Sequence, residues 1–336
     1  MNKPQKLAHW STIEETGVYW GMRLLVLIYS VFGRTAFRVA LYPTVAYYFA
    51  TNHQARTASR EYLQHIEDFD VDSGIKNTLW TSYRHFFGFS ESVLDKIIVW
   101  LGKYDFNQVR FHGYDEFTKL LDSGTGAMII GAHIGNMEVC RAIAEKRNSV
   151  RLNILIHTLN MEKYNKLLRN VDNTTSMQLI QVTELNPALA ISLHEKIQQG
   201  ECIILVGDRI PINSPTRTVN ISFLGEKAAF SQGPYLLASL LKCPVYTFCS
   251  IRGEDGNYDI YLDPLEKQII IPRKNPQRQE AIEHYATRYV NKLQSYCLKA
   301  PMQWFNFFPF WHMPDIDEVN QRGKTTNIKS TQKTSW

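Results

Sequence analysis

A histidine and a glutamate follow an apolar run of the chain, and their spacing restricts the chemistry that they could do together. The run Ala127–Ala132 precedes His133, and Glu138 stands five positions after the histidine. On one regular helix, five positions correspond to about 500°, so the two side chains would point about 140° apart. The pair therefore lacks the i, i+4 spacing of a helical metal-binding pair. The spacing suits a loop histidine that is followed by a helix carrying the glutamate.

The residues around this pair favour such a loop. Gly131 and Gly135 permit a tight turn, and Asn136 can cap the helix that follows. We expect the Glu138 carboxylate to reach back to one imidazole nitrogen of His133 and to fix its tautomer. The other nitrogen would then take a proton from a substrate hydroxyl, without any serine or cysteine nucleophile. The alternative is that His133 is an ordinary polar loop residue with satisfied hydrogen bonds.

The elements that would position these side chains alternate between strand and helix after residue 105. This order predicts an α/β fold with a mixed, mostly parallel central sheet flanked by helices. Function collects at the carboxyl ends of the strands in such sheets, and His133 and Asp208 both follow directly on predicted strands. We expect strands at Ala127–Ala132, Val150–His157, Met177–Val182, Cys202–Asp208, Thr218–Gly225, Pro244–Gly253 and, as an antiparallel edge, Tyr258–Asp263. We expect helices at about 136–146, 161–171, 187–199, 231–242 and 277–299.

The chain divides into three predicted regions: residues 1–105 as a helical, membrane-associating region, residues 106–312 as the α/β domain and residues 313–336 as a disordered tail. The apolar stretch Val18–Phe32 would be about 22 Å long as a helix, whereas the hydrocarbon core of a membrane is roughly 30 Å thick. A pair of interfacial or re-entrant helices over 18–50 therefore fits better than a clean span, with Trp20 and several tyrosines at headgroup level. An ordinary buried helical hairpin is the alternative.

Composition and charge restrict the partners and the compartment. The net charge of +5 suits an anionic partner such as a membrane or an acidic carrier protein, and the absence of any nucleic-acid-binding motif argues against a nucleic acid. The five cysteines stand in apolar context without a CxxC pair, so we expect buried free thiols rather than disulfides or a metal site. We expect no cleavable secretory signal, because the first apolar stretch follows a polar segment with acidic residues.

Four segments of the chain, in order, carry patterns of one enzyme family. They are GAHIGNME (Gly131–Glu138), GDRIP (Gly207–Pro211), ISFLGEKAAFSQGPYLLA (Ile221–Ala238) and MQWFNFFPFW (Met302–Trp311). Together they resemble the bacterial lipid A late acyltransferases, the lauroyl and myristoyl transferases, within the lysophospholipid acyltransferase superfamily. The first segment is similar to the His-x4-Glu signature, and a glutamate at 138 favours the lipid A-like branch because the glycerolipid branch carries aspartate. The fourth is similar to the aromatic closing motif of a predicted acyltransferase subgroup.

The resemblance implies a reaction and a set of roles. A fatty acyl chain would move from a thioester of acyl carrier protein or coenzyme A to a hydroxyl of a lipid or glycolipid, with no other cofactor and no metal. His133 would be the general base and Glu138 would orient it. Backbone N–H groups around Gly135 and Asn136 would hold the oxyanion. The family also implies the cytoplasmic face of a bacterial inner membrane.

Further substrate-binding residues follow from the same resemblance. Asp208 would hold Arg209, whose guanidinium would contact an anionic group of donor or acceptor, although a structural ion pair is the alternative. Arg169 resembles a family arginine near the site, and Phe223 would line the acyl channel unless it packs in the core. The chain ends in aromatics where lipid A enzymes carry a basic segment, which leaves another lipid acceptor open. The rival functions are a coenzyme A-dependent glycerolipid acyltransferase, a lipid thioesterase or hydrolase, and a non-catalytic membrane adaptor.

Overall fold

The computed structural model describes residues 18–100, 104–140, 150–156, 177–182, 186–210 and 217–312. Its helices are α1 (Val18–Thr51), α2 (His53–Phe69), α3 (Leu79–Trp100), α4 (Tyr114–Asp122), α5 (Pro187–Gln198), α6 (Gly233–Leu241) and α7 (Gln277–Lys299). Its strands are β1 (Arg110–His112), β2 (Met128–Gly131), β3 (Leu152–Ile156), β4 (Met177–Gln181), β5 (Cys202–Val206), β6 (Thr218–Phe223), β7 (Glu226–Ser231), β8 (Val245–Arg252) and β9 (Tyr258–Glu266).

Within the described residues, seven strands form one mixed sheet in the order β1-β9-β8-β2-β5-β3-β4. β2 pairs in parallel with both β5 and β8, and β3 pairs in parallel with both β5 and β4. β9 runs antiparallel to β8, and β1 runs parallel to β9. The predicted α/β fold with a mostly parallel sheet is confirmed. All four residues of β2 are buried, as expected for a central strand that is covered on both faces.

Helices cover both faces of this sheet, and the alternation of side chains along β2 shows how. Met128 and Ile130 belong to the core layer that α5, α6 and α7 close. Ala127 and Ile129 belong to the opposite layer, which Phe117 of α4 joins. Side chains point to alternate faces of a strand, so one short apolar run supplies both layers. Each fully buried isoleucine contributes about 1.5–3 kcal/mol to stability.

The helix limits that were predicted from capping residues and prolines agree with the structure. The side chain of Asn186 accepts a hydrogen bond from the N–H of Leu189 and caps α5, and Pro187 occupies its first turn. The predicted helix at 277–299 is confirmed as α7. The expectation of buried free thiols is also confirmed for Cys140, Cys202, Cys243, Cys249 and Cys297.

Two strand predictions are wrong in their pairing. β9 is antiparallel as expected, but it does not lie at the edge, because the three-residue β1 covers its other side. β6 does not join the central sheet and instead forms a separate hairpin with β7. The hairpin closes through Leu224 and Gly225, both at positive φ. Two-residue hairpin turns favour positive φ values at both positions. An Asn-Gly pair normally indicates such a turn in a sequence, whereas a leucine at the first position does not.

The N-terminal helices pack on one another through a narrow apolar stripe. α1 bends at Gly33, whose φ of 75° is not helical. After the bend, Phe37, Leu41 and Val45 are buried at helical spacing against α3. Elsewhere along its length α1 exposes Val31, Phe32, Val39, Tyr42, Tyr47 and Tyr48. None of the helices in the described ranges is both long enough and apolar enough to span a membrane.

Some predictions fall on residues that the structure does not describe. They are the helix at 161–171, the region 141–149 that would continue the helix after Glu138, and the tail at 313–336. The side chain of Trp20 is also outside the described part of the chain. These predictions therefore stay predictions.

Candidate active site

The site begins where two neighbouring parallel strands end. Gly131 of β2 lies opposite Val206 of β5 in the sheet register, so the residues after both strands emerge at the same edge. His133 and Asp208 meet there: the imidazole Nδ1 lies 2.8 Å from Oδ1 of the carboxylate. The backbone N–H of His133 donates to Oδ2 of the same carboxylate, also at 2.8 Å. The common strand-end position noted in the sequence thus corresponds to direct contact.

The carboxylate of Asp208 is buried and accepts from a third donor. The indole Nε1 of Trp304 donates to Oδ2 at 3.0 Å. Burial by itself would raise the pKa of Asp208, but the interactions with His133 outweigh it, with a further contribution from Arg209, so the pKa is lowered. The group therefore stays ionised beside the imidazole.

The electrostatics of His133 suit a base that is neutral at rest. An ionised carboxylate only accepts hydrogen bonds, so Nδ1 carries the proton and Nε2 keeps its lone pair. Burial lowers the pKa of His133; Asp208 opposes this effect, and the positive charges of Arg209 and Lys96 add to it, which leaves the pKa below its ordinary value. The side chain is 30% exposed, so part of the ring reaches the surface. A neutral imidazole with an accessible lone pair is what general-base catalysis requires.

Glu138 lies differently from the sequence expectation. Its carboxylate lies 3.2 Å from the Nζ of Lys96 on α3. Its backbone N–H donates to the side chain of Asn136, which caps the 3₁₀ turn Met137–Cys140. The contacts of the described residues thus make Asp208, and not Glu138, the carboxylate that holds His133. The reason is topological, since β5 delivers Asp208 beside the end of β2 while the capped turn holds Glu138 toward α3.

The expected oxyanion site does not fit the backbone of this loop. The N–H of Gly135 donates to the carbonyl of Gln303 at 2.8 Å, and the N–H of Asn136 donates to Ser250. Both donors are therefore already used inside the protein. Gly135 is needed for another reason: it has a φ of 63°, and an added Cβ would lie 1.5 Å from the carbonyl oxygen of Ser250.

The aromatic segment Pro301–Trp311, here called the closing segment, crosses the His133 loop. Trp304 forms an antiparallel bridge with Ile134, and the N–H of Phe305 donates to the carbonyl of His133 at 2.7 Å. Tyr289 of α7 adds a hydrogen bond from its hydroxyl to the carbonyl of Gly131. The loop is consequently held from β5, from α7 and from the closing segment.

The structure describes two of the three remaining predicted site residues. Arg209 is partly exposed, with its guanidinium carbon 5.6 Å from the ring centre of Phe308. Phe223 is completely buried among aromatic rings and corresponds to the core-packing alternative. Arg169 lies outside the described residues.

Sequence reasoning missed Trp304 as a part of the site. The aromatic run Met302–Trp311 contains no local sign of a contact with Asp208, which stands 96 positions before Trp304. The aromatic segment directly after the last long helix was the available signal, because a chain end of this kind must pack on something. Its target could not be read from local pattern.

The chain matches a family model of known proteins. The model described as "Bacterial lipid A biosynthesis acyltransferase" matches residues 95–313, which is more than half of the chain. The search of curated proteins gave no match. The matched range contains His133, Glu138, Asp208 and Trp304.

Proposed function

The chain belongs to the bacterial lipid A biosynthesis acyltransferase family, and we propose that His133 is the general base of its acyl transfer to a lipid acceptor. The donor in this proposal is an acyl thioester of acyl carrier protein or coenzyme A. The acceptor is a hydroxyl of a lipid or glycolipid. The observation that carries the proposal is the contact of a partly exposed imidazole with a buried, ionised carboxylate at the carboxyl edge of the sheet.

The proposed reaction needs one proton carrier. Nε2 of His133 takes the proton of the acceptor hydroxyl while the oxygen attacks the thioester carbonyl carbon. The tetrahedral intermediate then collapses, the carbon–sulfur bond breaks, and the imidazolium returns its proton to the leaving thiolate. The products are the acylated acceptor and the free thiol, and the histidine is neutral again.

Asp208 supports both proton transfers. Its negative charge stabilises the imidazolium that forms during attack, and its bond to Nδ1 keeps Nε2 as the basic nitrogen. The second bond, from the backbone N–H of His133, fixes the carboxylate relative to the loop. Glu138 acts on His133 only indirectly in this arrangement. It balances the charge of Lys96, and this charge lowers the pKa of His133.

Arg209 is the proposed contact for an anionic group of the donor or acceptor. It follows Asp208 directly, is partly exposed, and is near enough to His133 for its charge to lower the pKa of the imidazole. A guanidinium in this place suits a phosphate because it presents several donors in one plane. We expect Arg209→Gln to raise KM for the substrate that carries the anionic group more than it lowers kcat.

Exposed apolar side chains of α1 and α3 support the proposed membrane contact. Val39 and Tyr42 are exposed on α1, and Trp80 at the start of α3 is exposed beside them, stacked on Tyr83, whose hydroxyl bonds the carbonyl of Tyr42. Aromatic and aliphatic side chains of this kind insert at the headgroup level of a bilayer. We expect Val39→Ser with Trp80→Ser to reduce co-sedimentation with phospholipid vesicles. The matched pair Ile191→Ser with Ile270→Ser, equally exposed elsewhere, should not reduce it.

The central test compares two histidines that have the same contact. His112 lies 2.8 Å from the carboxylate of Asp259 on β9, away from the site. We expect His133→Ala to lower kcat by about 10²–10⁴-fold, and His112→Ala to leave kcat unchanged. The measurement is acyl transfer from a radiolabelled acyl thioester to a lipid hydroxyl, with circular dichroism as the check of folding. Full transfer activity in folded His133→Ala protein would overturn the proposed function.

The same assay separates the proposal from hydrolysis. Incubation with the acyl thioester alone measures release of free fatty acid, and addition of the acceptor measures transfer. We expect free thiol to appear much faster when the acceptor is present. Equal rates of thiol release with and without acceptor would identify a thioesterase instead.

A further inference from the structure

We propose that Trp304 is a positioning residue for His133 and acts through the carboxylate of Asp208. The inference rests on the proposed role of His133 as the base. Trp304 lies in the closing segment, and none of the hydrogen bonds described above joins it to the imidazole ring.

Three described donors surround the carboxylate of Asp208. Oδ1 accepts from Nδ1 of His133 at 2.8 Å, whereas Oδ2 accepts from the backbone N–H of His133 at 2.8 Å and from the indole of Trp304 at 3.0 Å. Donors on both oxygens fix the plane of the carboxylate. Without the indole, the donors described for this carboxylate both belong to His133, and neither of them fixes the carboxylate relative to another part of the fold. The indole ties the pair to a separate part of the fold.

The indole of Trp304 is itself held in place by the side chains around it. Trp304 is completely buried, with the rings of Tyr62, Phe223 and Phe310 at centroid distances of 4.9, 5.3 and 5.0 Å. Its backbone pairs with Ile134 in the His133 loop. A side chain that is enclosed in this way cannot follow a displaced carboxylate, so its N–H marks a fixed point.

The N-terminal helices support the backbone of Trp304. Nε2 of His85 on α3 donates to the carbonyl of Trp304 at 2.9 Å, and Nδ1 accepts from the hydroxyl of Ser59 on α2. Burial lowers the pKa of His85 to about 4, against the opposing effect of the Trp304 carbonyl, so the ring is neutral near pH 7. A neutral ring has one N–H, and the carbonyl partner assigns it to Nε2.

The indole of Trp304 has a different acceptor from the one that packing alone would require. Any buried indole needs an acceptor, and a backbone carbonyl is sufficient: Trp311 in the same segment donates to the carbonyl of Phe223. Trp304 donates instead to the carboxylate that holds the proposed base. A hydrogen bond to the charged form of Asp208 makes this carboxylate less basic, and it therefore limits how strongly Asp208 favours the imidazolium.

These two tryptophans provide the experiment. Trp304→Phe and Trp311→Phe each remove one buried indole N–H from the closing segment and keep an aromatic ring. For Trp304→Phe we expect about a tenfold fall in kcat, because a carboxylate that is less firmly oriented holds the imidazole less accurately in line with the acceptor hydroxyl, with KM changed less than twofold. Its acidic limb of kcat/KM should move to higher pH, because a more basic Asp208 raises the pKa of His133. Trp311→Phe should keep the wild-type kcat and pH profile.

A second substitution keeps the test decisive if Trp304→Phe does not fold. Benzothienylalanine at position 304 replaces the indole N–H by sulfur and retains the shape of the ring, so it should fold and give the same fall in kcat and the same shift of the limb. A wild-type kcat and pH profile in folded protein with either change would overturn the positioning role. Equal losses of kcat in the Trp304 and Trp311 variants would also overturn it in favour of packing.

The outcome is separable from that of the proposed function. If His133→Ala is inactive and the Trp304 variants are fully active, only the positioning role fails. If His133→Ala is fully active, the proposed function fails whatever the Trp304 variants do.

Discussion

Two histidine–aspartate contacts of equal length lie in two different surroundings. His133 meets Asp208 at the carboxyl edge of the sheet, and His112 of the edge strand β1 meets Asp259 of β9, both at 2.8 Å. The Asp208 side chain has no exposed surface, and its donors are a backbone N–H, an indole and the imidazole. Asp259 instead lies near the surface and accepts two bonds from the guanidinium of Arg110.

The difference teaches that the contact by itself does not make a catalytic pair. Arg110 lowers the pKa of Asp259 to about 2, with a smaller contribution from His112, so the negative charge there is already neutralised by a permanent cation. The His112 side chain is 48% exposed, and solvent and salt screen what charge is left. In the other pair, the described bonds to Asp208 come from a backbone N–H, an indole and the imidazole. Arg209 lowers the pKa of Asp208 less than His133 does, so the carboxylate acts chiefly on the imidazole and on the imidazolium that forms during the reaction.

A third histidine completes the comparison. His85 is as completely enclosed as Asp208, but its bonds go to a hydroxyl and a carbonyl, and burial takes its pKa to about 4. His133 is partly buried beside a carboxylate, which opposes the same effect. Burial alone gives a histidine that does not titrate near neutral pH, whereas burial beside a carboxylate gives one that is neutral at rest and still able to take a proton.

The largest expected effect comes from Asp208→Asn. The amide would offer an N–H toward Nδ1 of His133 and favour the wrong tautomer, so we expect kcat to fall by about 10³-fold or more. Asp259→Asn is the matched control, because it changes the other histidine–carboxylate pair without reaching the site. Steady-state transfer assays on both variants measure the contrast. Similar activity in the two variants would mean that the buried pair has no special role.

The next effect concerns His85 and the pH dependence of folding. Between about pH 4 and the ordinary value of 6.5, the unfolded chain binds a proton at this ring that the folded protein does not bind. Stability from this group is therefore complete above about pH 6.5 and is lost as the pH falls toward 4, by about 3 kcal/mol in total. His85→Gln retains a donor to the Trp304 carbonyl and removes the titration. Urea unfolding at several pH values should show a flatter pH profile for this variant, and an unchanged profile would contradict the assignment.

A smaller effect is expected at Glu138. Since its carboxylate contacts Lys96 and not the imidazole, Glu138→Gln leaves the His133–Asp208 contact in place. We expect kcat to fall by about tenfold at most, through the uncompensated charge of Lys96 near His133. Lys96→Gln combined with Glu138→Gln should restore part of the loss. A fall as large as that of Asp208→Asn would show that Glu138 takes over the orienting role when substrate is bound.

Much of the fold was predictable from local sequence patterns, whereas the contacts between distant segments of the chain were not. The apolar run of β2, the punctuation of α5 by Asn186 and Pro187, and the strand-end positions of His133 and Asp208 are all properties of short segments. Side-chain periodicity and capping act within a few residues, so sequence inspection finds them.

The missed features all depend on distant partners. β1 is three residues long and exists as a strand only because β9 lies beside it. Glu138 has a partner on α3, and Trp304 reaches Asp208 from the far end of the α/β region. The nearest carboxylate in the sequence was therefore a poor guide to the nearest carboxylate in space. The order of the strands in the sheet decides which loops meet, and this order cannot be predicted from any single segment of the sequence.

The smallest expected effect is the loss of stability when the exposed contact of His112 with Asp259 is removed. Asp259→Asn removes the acceptor that Arg110 and His112 share near the surface, where such contacts contribute little. We expect a fall in Tm of about 3 °C or less, and the difference from wild type should shrink in 1 M NaCl because salt screens the pair. Asp208→Asn loses a buried acceptor with three donors, so its fall in Tm should be larger and should persist at high salt. Calorimetry of both variants at low and high salt distinguishes them, and an equal, salt-sensitive loss in both would remove the contrast between the two pairs.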